Sequence, residues 1–261
     1  MSKEDVVEKG ASITARLKVR DLAPFLRRAD LKPCENIRLE ISPAGKEHVL
    51  VRAITYNDLK TSMLYSEGVV DGKVETRMVM SFVTKKLYNI LSRMQLDTML
   101  ELTQIGDSIM MSNGDITARV YMVETAWPEK DMVEIKDGRV ELTTGEGKML
   151  ARAKVELSEL SIMKMMETDY AEITEKNGEI FISTGHFSAK HDQMTVRFGK
   201  MEEGGFDSEI LPDFALAMTA RFPKADVDMY IFERGVRDIV AFHVLDEGVG
   251  TVALLATVER D

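Results

Sequence analysis

A single cysteine, Cys34, leaves no intrachain disulfide possible and fits a reducing compartment, with the thiol acting as a small structural hydrophobe. No apolar run is long enough to span a bilayer, and no apolar leader follows the charged start MSKEDVVEKG. The expectation is therefore a soluble, intracellular chain with no membrane partner. Positive charge is also short. A net charge of −10 and a pI near 5.1 speak against a uniformly basic nucleic-acid binder, although segregated charge would escape that argument. Aromatic residues make up only 7% and form no concentrated pocket, which weakens the reading as a generic β-rich ligand binder.

Signatures of catalysis are missing as well. There is no P-loop, nucleophile elbow or dinucleotide-binding fingerprint. His186 and His191, the latter beside Asp192, are five residues apart between predicted strands, a spacing that matches no compact metal-ligand pattern. His48 and His243 read as surface or core residues. Glu202-Glu203-Gly204-Gly205 is acidic and reads as a flexible loop, not a phosphate cradle. No catalytic residue, metal or cofactor is expected, and the chain reads as a non-enzyme.

What is present is a repeat. Four stretches read strand, short helix, strand, beginning near residues 12, 76, 148 and 207. The first contains ITARLKV, DLAPFLRRADL and IRLEI; the second RMVMSF, VTKKLYNILSRM and MLELTQ. The third contains MLARAKVEL, SELSIMKMME and AEITEKNGEIFIS; the fourth has a short strand ending at Ile210, then PDFALAMTARF and VDMYIFE. Leu87, Ile90, Leu91 and Met94 form an apolar stripe at helical spacing. Pro212 suits a first helical turn, and Ser81 and Ser158 sit where N-caps belong. Further strands are predicted over 49–64, 108–123, 194–198 and 238–258, with turns at Asp71-Gly72, Asn113-Gly114 and Asn177-Gly178. The methionines, 18 in all, fall largely on core stripes (Met94, Met163, Met166, Met218), where adaptable packing accounts for them. The expected fold class is α+β: two similar domains, 1–130 and 148–261, each with two short helices on antiparallel sheet, joined by a polar connector over 131–147.

Charge sorts with the helices. Windows 16–32, 82–96, 148–166 and 211–224 carry +4, +3, +2 and +1, so the remainder of the chain carries −20. On the second helix Lys86, Asn89 and Arg93 share one face, opposite Leu87, Leu91 and Met94. A positive helical layer inside a negative shell suits loose phosphate contact without sequence reading.

The fourfold unit, the two halves and the basic helices together resemble the two-domain DNA sliding clamps, the proliferating cell nuclear antigen (PCNA) and tailed-phage processivity clamps. TARLKVRDLAPFLRR resembles the first strand and basic helix of PCNA, and RVYMVETAWPEKD the close of the first phage-clamp domain. NGEIFISTGHFS resembles the PCNA interface strand. DIVAFHVLDEGVGTVALLATVE is similar to the closing hairpin of both, with Thr257 where PCNA carries proline. The resemblance spans about residues 12–259 and implies a homotrimeric ring around duplex DNA, with a DNA polymerase and a clamp-loader ATPase as partners. Prokaryotic or phage-infected cytoplasm is the implied setting ahead of a nucleus. The rival readings are a non-ring or hetero-ring processivity or checkpoint subunit and the generic β-rich binder.

The expected DNA-facing set is Arg27, Arg28, Lys85, Lys86, Arg93, Arg152, Lys164, Arg221 and Lys224. By resemblance, a partner-peptide pocket falls on Ile54, Tyr56, Leu59, Val133, Ile135, Ile239, Leu255, Ala256 and Thr257. Also by resemblance, ring joints pair Thr117, Arg119, Tyr121 and Val123 of one copy with Ile180, Ile182, Thr184 and Phe187 of the next.

Overall fold

The computed structural model describes residues 12–31, 34–57, 61–124, 133–143, 147–156, 170–185, 194–212, 226–234, 237–246 and 248–257. The chain divides into two compact units, Met1–Thr55 with Glu67–Ala126, and Tyr56–Ser66 with Trp127–Asp261. The short segment Tyr56–Ser66, read from sequence as part of the first domain, thus belongs to the second unit.

Unit 1 holds β1 (Ile13–Lys18), α1 (Val19–Ala29), β2 (Asn36–Pro43), β3 (His48–Tyr56), most of β4 (Ser62–Val74), β5 (Met78–Val83), α2 (Thr84–Leu91), β6 (Met99–Ile105), β7 (Ser108–Ser112) and β8 (Thr117–Tyr121). Its strands run in the order β5-β2-β3-β4-β1-β6-β7-β8. Alternation dictates the pairing: in β5, Met78, Met80 and Phe82 face inward and are buried, while the intervening residues are half-exposed. Helix α1 buries Leu22, Phe25 and Leu26 completely, each contributing roughly 1.5–3 kcal/mol. It packs on β1 and beside α2, which lies against β5.

Neither helix uses a side-chain cap. The amides of Val19 and Arg20 donate to the carbonyls of Thr98 and Leu96, and the Thr84 amide donates to Glu35. Backbone from neighbouring loops thus satisfies donors that a helix start leaves open. Ser81, expected as a cap, lies inside β5. Ser158 and the predicted third and fourth helices lie outside the described residues.

Unit 2 repeats the plan. β11 (Lys148–Glu156), β12 (Tyr170–Lys176), β13 (Glu179–Gly185), β14 (Met194–Gly204), β15 (Ser208–Pro212), β16 (Asp226–Glu233), β17 (Ile239–Asp246) and β18 (Val249–Ala256) are ordered β15-β12-β13-β14-β11-β16-β17-β18. Strand for strand this is the order of unit 1. Even the glycines correspond: Gly72 faces Leu17 across β4 and β1, and Gly199 faces Val155 across β14 and β11. At Gly72 a Cβ would stand 2.7 Å from the Arg16 carbonyl oxygen, so a bare backbone is needed for the strands to close. Asp71-Gly72 is accordingly strand, not the expected turn. Glu202–Gly204, expected as loop, is the end of β14.

Two other expectations change. The stretch read as a polar tether contains a separate two-stranded sheet, β9 (Val133–Lys136) and β10 (Arg139–Leu142). Its turn is Asp137-Gly138, with φ of 49° and 75°, the left-handed pair that tight hairpins require. The predicted 49–64 strand is two strands, β3 ending at Tyr56 and β4 beginning at Ser62, and the Asn57 side chain binds the start of the second. Its Oδ1 accepts from the amides of Thr61 and Ser62 at 2.9 and 3.1 Å, and its Nδ2 donates to Thr61 Oγ1.

Among the described residues no helix is long and apolar enough to cross a membrane, and no group of three or more potential ligands could hold a metal ion.

Candidate functional site

On α2 Leu87 and Leu91 point inward, as does Met94 in the turn that follows, leaving Lys85, Lys86 and Asn89 of the helix and Arg93 just beyond it exposed; the helix expected to run on to Met94 ends at Leu91. Arg27 is exposed on α1 as expected. Arg28 is not: it is 4% exposed. Arg152 is also withdrawn. Its guanidinium lies 3.1 Å from Glu202 and 3.3 Å from Asp228 and sits over the Tyr230 ring. Burial works against its charge, but Asp228, Tyr230 and Glu202 together outweigh burial and hold the group protonated above its ordinary range. Arg152 therefore ties β11 to β14 and β16 and offers no free cation. Lys164, Arg221 and Lys224 lie outside the described residues.

Lys86, Asn89 and Ile90 of α2, with Arg93 just beyond it, also line a groove of about 590 Å³ together with Ile116, Ala118, Arg119, Val120 and Tyr121. Ile90, expected in the core stripe, is half-exposed because it lines this groove. β8 pairs with β7 alone, so its outer ladder is open among the described residues. Thr117, Arg119 and Tyr121 are exposed, and the Arg119 guanidinium lies 5.4 Å from the Tyr121 ring centre. Val123 does not share this edge: its amide donates to the Ser81 carbonyl at 2.9 Å.

The strand expected to meet β8 is placed differently. β13 is hydrogen-bonded on both sides, to β12 and β14, and Ile180, Ile182 and Thr184 are buried. It is an interior strand with no ladder to offer; Phe187 lies outside the described residues. Among the described residues the open side falls on the next strand. The leading residues of β14, Met194–Arg197, pair with β13, whereas β11 reaches only Gly199–Gly204. Sequence alternation could not separate β13 from β14, since both alternate.

The pocket residues divide by burial. Val133, Ile239, Leu255 and Thr257 are buried, as is Ile54 in unit 1, so these serve as core. Tyr56, Ile135 and Ala256 keep partial exposure; Leu59 lies outside the described residues. Within unit 2 the Ala256 amide donates to the Thr61 carbonyl at 2.8 Å and the Thr257 amide to Asp238 at 2.9 Å. Ala256 thus stands beside Thr61, just before β4. Ile135 belongs to the separate β9–β10 sheet.

No family model matches the chain, and no curated protein does. Solved structures do. PCNA from Entamoeba histolytica is 14% identical with a TM-score of 0.68, covering 94% of this chain and 98% of its own. A. fulgidus PCNA, solved with the C-terminal region of FEN-1 bound, is 10% identical with a TM-score of 0.65, covering 95% and 99%. The PCNA2–PCNA3 complex of Sulfolobus tokodaii gives 11% identity and a TM-score of 0.65, covering 94% and 98%. The chain therefore has the fold of the DNA sliding clamps. It spans nearly the full length of these PCNA chains.

Proposed function

We propose that this chain is a sliding-clamp subunit, assembling into a closed ring that encircles duplex DNA and tethers a polymerase without catalysing a reaction. The observation that carries the proposal is the duplicated strand order combined with an imbalance between the two copies of it. In unit 2 the last strand, β18, has an outer neighbour, the start of β4: Ala256 meets Thr61, and the Ser66 and Thr251 hydroxyls are 3.0 Å apart. In unit 1 the corresponding strand, β8, has none among the described residues. The strand that corresponds to β4 is β14, and among the described residues its leading half is open on one side. A second copy's β14 would complete β8 as β4 completes β18, and repetition of one head-to-tail contact closes a ring. Three copies would give the six units that the clamp fold implies.

Duplex DNA would be held by Arg27, Lys85, Lys86 and Arg93, with Lys164, Arg221 and Lys224 as further candidates. Their contacts would be to phosphates, weak and salt-sensitive, so the ring slides. A polymerase and a clamp-loader ATPase would dock through short peptides near Tyr56, Ala256 and Ile135; a clamp of this fold, A. fulgidus PCNA, is known with the C-terminal region of FEN-1 bound. The acidic shell would favour basic flanks on such partners.

The test is solution mass by light scattering, followed by retention on circular DNA after loading. Three times 29.4 kDa is the expected mass. A Lys86→Glu, Arg93→Glu variant that keeps this mass but is loaded and retained like wild type would remove the DNA assignment.

A further inference from the structure

We draw no further inference here: the strongest candidate, the cavity of about 360 Å³ between the β9–β10 hairpin and strands β11 and β16, carries nothing because Arg152 on its wall is already paired with Asp228 and Glu202, the Tyr230 hydroxyl is closed off from solvent, and nothing in the structure shows what would occupy it.

Discussion

Glu40 shows how single charged groups are spent in this fold. It lies on β2, 7% exposed, and accepts a 2.6 Å hydrogen bond from Arg77 and another from the Ser42 hydroxyl, with Arg52 at 3.9 Å. Burial pushes its carboxyl upward, but the Arg77 hydrogen bond and charge, helped by Ser42 and Arg52, leave it below the ordinary value of 4.5. A carboxyl depressed in the folded state contributes stability above its unfolded pKa and loses it as pH falls through the folded value. Glu40→Gln should therefore destabilise unit 1 by about 1–3 kcal/mol at neutral pH, with the gap to wild type narrowing as pH falls below the ordinary carboxyl value and through the lower folded one. Urea denaturation at pH 7 and pH 3.5 reads this directly; an equal gap at both values would show that the charge contributes nothing. Arg152 illustrates the same economy from the other side. A count of basic residues places it with the DNA-facing cations, yet two acids and an aromatic ring take up its charge.

Among the elements, β8 is the one whose sequence and surroundings disagree most with a finished structure. A strand with an open ladder and an exposed aromatic is a liability unless something covers it. Tyr121 is 61% exposed and borders the groove under α2. An Arg119→Glu, Tyr121→Ala variant should shift the solution mass toward 29.4 kDa while leaving the circular dichroism spectrum unchanged. An unaltered oligomer would move the joint elsewhere. At the other candidate surface, Ala256→Asp should weaken a polymerase-derived peptide at least tenfold by calorimetry, and equal affinity would exclude this end of β18.

Much of this element layout was legible in the chain. Alternation in ITARLKV and RMVMSF, the stripe of Leu87 and Leu91, and the Asn-Gly turns at 113 and 177 all read correctly because local periodicity and left-handed turn chemistry are properties of short segments. The failures arose where distant backbone decides. An Asp-Gly pair is a turn at 137–138 but strand at 71–72, where the approach of Arg16 on β1 sets the need for glycine. Ser81 looked like a cap, yet the carbonyl of Glu35 does that work. For the candidate site, the outward face of α2 was readable from spacing, whereas the burial of Val133 and Leu255 was not. An alternating strand does not declare which of its faces another layer covers.

At the scale of the molecule, the duplication is exact in strand order while the two boundaries are unequal. Unit 2 takes in Tyr56–Ser66 from the first half of the sequence, and the end of that segment lies along β18 with the buried Ser66–Thr251 contact. The fragment 127–261 should therefore be produced as an aggregation-prone species with β18 uncovered, and a synthetic peptide spanning 56–66 added during refolding should raise the soluble yield. A monomeric, well-folded 127–261 fragment would contradict the assignment of that strand. The same sharing bears on how such a gene could be divided. A coding sequence split at the connector would separate the two halves of the text but cut through one of the two folded bodies. The repeat is thus modular in its topology and indivisible as a transcript.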